Sequence, residues 1–419
     1  MADGSSKVVH VVRKWNTAEW GGTETYVAAA TASLEALGWQ SEVHAPEPRA
    51  RGALAMETGL RPSVALARFD AVCPYLATRE RRDALWAMGG NLVTFGEGIR
   101  LYRDRRVALA HLHTAGRIGA AVRVAMLRSR RPYVLSVHGP MLGDPALVAR
   151  EVSRRTTRTI DLGRPVGALL GARRVVDDAA AVCCFNEREY RAMQARVGDR
   201  AVRMEHGVDA QWFSRGDPRR ADERWPELAG RRVWLVLGRL SRQKNQRLAV
   251  EALAASKDKR VVLACAGAET DGGYRDEVLR RARALGVADR VFVLGNVPRS
   301  DARDLLARAE TVIVPSTHEA FGLVVLEAWA ARKPTLLASG VGMDDLVREH
   351  GDGRCAVSTA SGGAWAQALD GLDDASRAAL AERGRALVEN KYSWDRVAAT
   401  LAGVYERALD ATRGAKGRC

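Results

Sequence analysis

No stretch of this 419-residue chain is apolar for long enough to span a bilayer, and its opening residues, MADGSSKVVHVVRKW, carry no apolar signal core. Those two absences lead us to expect a cytoplasmic protein. Cysteine is scarce: Cys73, Cys183, Cys184, Cys265, Cys355 and Cys419 form no C-x-x-C pair, which argues against a zinc ribbon or disulfide framework and for buried free thiols. The dinucleotide fingerprint G-x-G-x-x-G is missing, so a nicotinamide cofactor is not expected. Nor does a D-x-D pair stand in a convincing loop, because Asp177-Asp178 falls in a helical stretch and Asp344-Asp345 lies beyond the motif-rich region. No metal site is expected. The formal net charge of +15 raises nucleic acid as a partner, yet no zinc finger, recognition helix or aromatic RNA-binding strand accompanies it.

Attraction to an anionic membrane surface or an anionic acceptor is the better functional reading of that charge. It would use residues 117–131, RIGAAVRVAMLRSRR, with Arg100, Arg103, Arg105 and Arg106 ahead of them. The same segment also reads as an ordinary helix docked on a sheet, its cations favoured near the C-terminus by the helix dipole.

A chain of this length is too long for one ordinary core and suits two α/β domains of roughly 200 residues each. Apolar runs at 8–12, 41–44, 109–113, 133–137, 180–184 and 201–204 read as strands separated by helical stretches. A second set follows at 233–237, 261–266, 291–294, 311–314 and 335–338. Alternating strands and helices build doubly wound parallel sheets, whose ligands lie at the carboxyl ends of the strands. The polar, proline-punctuated stretch 211–230 reads as a linker between domains at 1–210 and 231–393. Residues 45–106 carry no motif.

The segment TVIVPSTHEAFGLVVLEAWAARKPTLL, residues 311–337, is the most informative. A β-branched run stops at Pro315, and Phe321-Gly322-Leu323 opens an apolar helix, so Glu319 and Glu327 are expected to bracket a helix N-terminus that suits phosphate. Eight residues at helical rise span about 12 Å, roughly a sugar ring across a diphosphate to a ribose. One carboxylate could hold each end of a sugar nucleotide, although a glutamate at a helix start is also a common capping residue. EAFGLVVLE, with Pro315-Ser316 before it and Lys333-Pro334-Thr335 after, resembles the E-x7-E signature of family 4 retaining glycosyltransferases of the GT-B architecture.

Further strings resemble the same family. In GRLSRQKN, residues 238–245, Arg239 and Lys244 correspond to cations that hold the donor diphosphate. Trp20-Gly21-Gly22-Thr23-Glu24 is placed like the family's first glycine loop. Ser136-Val137-His138-Gly139 matches an element whose histidine lies near the transferred sugar. Glu205-His206-Gly207-Val208-Asp209 matches the domain-junction element, except that His206 replaces the usual asparagine. The helix expected over 394–411 resembles the closing helix that crosses back onto the first domain.

The resemblance implies a GT-B fold of two Rossmann-like domains facing a central cleft, and transfer of a sugar with retention from a nucleotide-sugar, a UDP-sugar expected ahead of GDP-mannose. The acceptor would be a glycan or a lipid-linked or other glycoconjugate, and contact with the inner face of the membrane would be peripheral. Catalytic roles fall to Glu319, His138, Arg239 and Lys244. Donor binding falls to Gly21, Gly22, Arg239, Lys244, Val297, Glu319, Phe321, Gly322, Leu323 and Glu327. A sugar-nucleotide epimerase or hydrolase of similar fold, and a noncatalytic sugar-nucleotide-binding protein, are the alternatives.

Overall fold

The computed structural model describes residues 7–16, 21–48, 59–87, 91–138, 160–319, 321–344, 347, 356–358 and 361–416. Trp20, Gly139, Asp345, Cys355 and Cys419, named above, lie outside them. The chain divides into two compact units, Met1–Glu205 with Trp394–Cys419, and His206–Ser393.

In the first unit the strands are β1 (Lys7–Val11), β2 (Gln40–Pro46), β3 (Ala65–Phe69), β4 (Tyr75–Leu76), β5 (Val107–Leu112), β6 (Tyr133–Val137), β7 (Ile160–Asp161), β8 (Ala181–Cys184) and β9 (Ala201–Arg203). β4 and β7 pair antiparallel by themselves. The other seven form one parallel sheet in the order β3-β2-β1-β5-β6-β8-β9. The second unit holds β10 (Arg232–Leu237), β11 (Val261–Ala266), β12 (Val291–Gly295), β13 (Thr311–Val314), β14 (Thr335–Ala338) and β15 (Ala356–Val357), parallel in the order β12-β11-β10-β13-β14-β15. Each sheet therefore grows outward from its first strand in one direction and then restarts on that strand's other side. The switch points lie between β1 and β5 and between β10 and β13, where open α/β sheets bind ligands.

The apolar runs form these strands because both faces are covered. Val233 to Val236, and all six residues of β11, are buried, which a parallel sheet flanked by helices requires. Cys183, Cys184 and Cys265 are buried free thiols, as the sequence led us to expect, and burial pushes each up to about 12. Residues 211–230, read from the sequence as a linker, instead carry the helix Pro218–Arg224 and part of Ala210–Phe213. Pro218–Arg224 packs on the helix Arg299–Arg308, where Arg308 donates to Asp222 at 2.5 Å. The last helix, Trp394–Lys416, belongs to the first unit, and its buried Tyr405 hydroxyl lies 2.6 Å from His111 Nδ1.

The arginine-rich segment is largely occupied by structural bonds. Arg117 is 4% exposed and pairs with Asp161 at 2.5 Å, Arg123 bonds Asp178 at 2.6 Å, and Arg131 donates to the carbonyls of Asp104 and Val107 at 2.6 and 2.7 Å. Arg128 and Arg130 stay exposed. Among the described residues no helix is long and apolar enough to cross a membrane.

Candidate functional site

β10 ends at Leu237, and Gly238 follows with φ 148°, a conformation closed to residues with a Cβ. The turn is tight because the loop after β11 presses on it: a Cβ on Gly267 would stand 2.1 Å from the Gly238 carbonyl oxygen. From there the chain carries Arg239 and Lys244 to the helix Gln246–Ala255. Arg239 is exposed, with Nη2 donating to Gln243 Oε1 at 3.2 Å.

β13 ends beside β10, and its turn brings Glu319 to the same place. Lys244 Nζ donates to Glu319 Oε1 at 2.5 Å, and Ser316 Oγ donates to that oxygen at 2.7 Å. The two loops are stitched further by Thr317 N–H on the Gln243 carbonyl and Gln243 Nε2 on the His318 carbonyl, both at 2.9 Å. Burial pushes the Glu319 carboxyl up, but Lys244 and Ser316 outweigh it and hold the group below the usual carboxylate value. A charged lysine and a charged glutamate thus share the carboxyl ends of the two strands that flank the switch point.

Glu319 and Glu327 bracket the helix N-terminus as expected, but they do not lie along one helix. The helix is Leu323–Ala330, opened by Gly322 at φ 101°, so Glu327 is its fifth residue and Glu319 sits four residues ahead of it on a turn. Helical rise therefore does not measure their separation. Burial pushes the Glu327 carboxyl up against the pull of Arg299 and Lys244, leaving it nearer neutrality than Glu319. Phe321 is 9% exposed and sets its ring 4.5 Å from that of His206, so the departure from asparagine at that position is filled by ring packing. Gly342 backs the turn, since a Cβ there would stand 2.4 Å from the Phe321 carbonyl oxygen. Gly322 and Leu323 are half-buried. Val297 follows β12, the edge strand, which β11 and β10 separate from β13.

In the first unit, Gly21 caps the helix Gly22–Glu35, and its N–H donates to Glu24 Oε2 at 3.1 Å. That amide is engaged within its own turn rather than presented to phosphate. His138 follows β6, with Nε2 2.8 Å from His113 Nδ1 and its ring stacked on Phe185 at 4.9 Å. Burial, aided by the charge of Arg13, pushes His138 down to about 3, so the imidazole is neutral.

Sequence reading assigned no role to Ser316, Gln243, Glu24 or His113. Two of the four had a signal: Ser316-x-x-Glu319 and the Gly21-x-x-Glu24 start both follow capping-box spacing. His113 could have been found only from the pairing of strands.

The sequence model described as "Glycosyl transferases group 1" matches residues 219–391, and that of a "Glycosyl transferase 4-like domain" matches residues 21–205. The chain is 28% identical to D-inositol 3-phosphate glycosyltransferase 2 of Catenulispora acidiphila, with 96% of this chain and 93% of the relative covered. Over 59% of its length it is 31% identical to the D-inositol 3-phosphate glycosyltransferase of Salinispora tropica, of which 55% is covered. Among solved structures it resembles Anabaena Alr3699/HepE in complex with UDP at TM-score 0.72 and 18% identity, covering 96% of this chain and 99% of that one. It also resembles sucrose-phosphate synthase from Thermosynechococcus elongatus at TM-score 0.73 and 19% identity, with 97% and 100% covered.

Proposed function

The chain belongs to the family 4 glycosyltransferases of GT-B fold, and from that premise we propose that it transfers a sugar from a UDP-sugar to an acceptor hydroxyl with retention of configuration and without a divalent metal. The observation that carries this reading is the Lys244–Glu319 pair at the adjoining ends of β10 and β13, with Arg239 on the same loop. Breaking the sugar–phosphate bond places extra negative charge on the diphosphate and oxocarbenium character on the ring. Arg239 and Lys244 supply fixed positive charge for the first, which lowers the barrier. Glu319 is held ionised and placed to order the sugar hydroxyls. Glu327, closer to neutrality, takes the ribose. His138 is assigned to the transferred sugar as a neutral hydrogen-bonding group. With retention, the acceptor attacks on the face the diphosphate leaves, and a phosphate oxygen takes its proton.

UDP is favoured because the Anabaena neighbour is described with UDP bound. A thermal-shift series with UDP, GDP and ADP tests this, since a ligand that binds the folded state raises its apparent stability. UDP should give the largest shift. No shift with any nucleotide, or release of free sugar in place of transfer, would overturn the reading. The acceptor series should run from glycans and lipid-linked sugars to phosphorylated inositol, the acceptor in the relatives' names.

Peripheral membrane contact keeps one specific support. Phe95, Ile99 and Tyr102, 56%, 52% and 52% exposed, recur at helical spacing along the helix Gly96–Arg103, beside exposed Arg103 and Arg105. Co-sedimentation with anionic vesicles should weaken several-fold when Ile99 and Tyr102 become serine. Unchanged sedimentation would assign the enzyme a soluble acceptor.

A further inference from the structure

Two donors reach Glu319, and both take the same oxygen. Lys244 Nζ and Ser316 Oγ donate to Oε1 at 2.5 and 2.7 Å, whereas Oε2 takes no hydrogen bond among the described residues. A carboxylate oxygen offers roughly two lone pairs, so Oε1 is filled and Oε2 keeps its full capacity. The two donors differ in how firmly they are held. Lys244 carries its charge on a flexible four-carbon stem that can turn toward another anion. Ser316 is 1% exposed and stands on backbone fixed from both sides. Before it, Val314 is paired with Leu337 of β14 and Pro315 has its φ locked by its own ring. Beyond it, the Thr317 N–H and the His318 carbonyl are both bonded to Gln243 at 2.9 Å. The Ser316–Glu319 contact joins residues 3 apart in one turn, while the Lys244–Glu319 contact joins loops 75 residues apart.

Resting on the assignment of Glu319 to the hydroxyls of the transferred sugar, we propose that Ser316 is a positioning residue for the transfer. Its hydroxyl pins Oε1, so that Oε2 is the oxygen presented to the sugar, and it keeps that alignment when the Lys244 ammonium turns toward the diphosphate. The charge that develops in the reaction supplies the reason. As the sugar–phosphate bond breaks, the diphosphate gains negative charge and draws the lysine toward it. A carboxylate whose partner was the lysine alone would lose its alignment at the moment the sugar needs it. A hydroxyl on a fixed turn does not follow the phosphate, because it carries no charge. Burial pushes the Glu319 carboxyl up, and Ser316 joins Lys244 and His318 in holding it down, so the hydroxyl also helps to keep the group ionised.

Ser316→Ala removes the hydroxyl and little else. In that variant kcat should fall about tenfold while the calorimetric Kd for UDP stays within about twofold of wild type, because Arg239 and Lys244 are untouched. The acid limb of the kcat profile should move to higher pH, since the hydroxyl favours the charged carboxylate and its loss raises the pH at which Glu319 takes up a proton. The same shift is read without substrate by 13C NMR of the full chain labelled at the glutamate carboxyl carbon, with the Glu319 signal identified by its absence in Glu319→Gln. Its titration in Ser316→Ala should lie above that of wild type. Turnover of Ser316→Ala within about twofold of wild type, where Glu319→Ala is impaired, overturns the proposal. So does a Glu319 titration that does not move, or a rise in the UDP Kd as large as the fall in kcat, which would make Ser316 a support of the donor loop alone. Normal turnover in Glu319→Ala would instead remove Glu319 from the sugar, and the proposal with it, whatever the carboxyl titration shows.

Discussion

The two parallel sheets share a strand order and reach their switch points alike, yet they treat titratable groups there in opposite ways. At β1, β5 and β6, imidazoles are buried without charge and bond to one another. At β10 and β13 a lysine and a glutamate face each other as ions, with an exposed arginine beside them. Topology therefore says where a ligand would lie, and the residues at the strand ends say what can be done to it. Neutral rings can direct hydrogen bonds to hydroxyls. Only the cationic end can meet the charge that grows on a departing diphosphate.

The strongest way to break the contrast is to remove that charge. Lys244→Ala should lower kcat about a hundredfold, near 2.7 kcal/mol of barrier, because it also leaves Glu319 without its counter-ion. Arg239→Ala, at an exposed position, should cost about tenfold. Turnover within twofold of wild type in both variants would erase the distinction between the two ends. Turnover should also persist in a chelator. Loss restored by magnesium would move the compensating charge from side chains to a metal.

A finer test lies within the charged end. Glu327→Ala should raise the calorimetric Kd for UDP about tenfold, since ribose contacts form on binding, whereas Glu319→Ala should leave that Kd near wild type and lower kcat. Equal UDP affinity in wild type and Glu327→Ala would refute the ribose assignment. Glu319 has its proton affinity depressed by Lys244. The stability it contributes is therefore present above the unfolded carboxyl value of about 4.3 and is lost as pH falls through the lower folded value.

Much of this was legible in the sequence because continuous β-branched runs have few other fates. The stretches 133–137, 261–266, 311–314 and 335–338 are strands with the bounds read from the residues. β3, ALARF, and the two-residue strands β4, β7 and β15 carry no comparable run and escaped notice. In the site, resemblance picked out Lys244 and Glu319, but their contact is a product of strand order, which pairs β10 with β13 across more than 70 residues. The helix starts where Phe321-Gly322-Leu323 pointed, but Glu319 lies on the turn before it, so helical rise could not measure its distance to Glu327. In the arginine segment the ordinary helix was legible, whereas burial of Arg117 and Arg123 against Asp161 and Asp178 depends on partners distant in sequence.

The smallest effect sharpens the same comparison by setting one buried carboxyl against another. Glu189 in the first unit is 4% exposed, on the helix Glu187–Val197, with Oε2 lacking any hydrogen-bond partner among the described residues. Burial pushes it up to about 8, only partly offset by Asn186 and Arg188, whereas Glu319, also enclosed but paired, goes down. A folded state that holds its proton more tightly than the unfolded chain gains stability that is fully present below about pH 4.3. That stability drains away as pH rises through about 8. Across that window the slope contributed by one such group approaches about 1.4 kcal/mol per pH unit. Glu189→Gln keeps the shape and cannot ionise, so the difference between wild-type and variant urea midpoints should change steadily from pH 5 to 8, with the variant relatively more stable at the alkaline end. A difference that stays flat across that range would show that Glu189 is already ionised at neutral pH, and that the first unit, like the second, pays for buried charge with a partner.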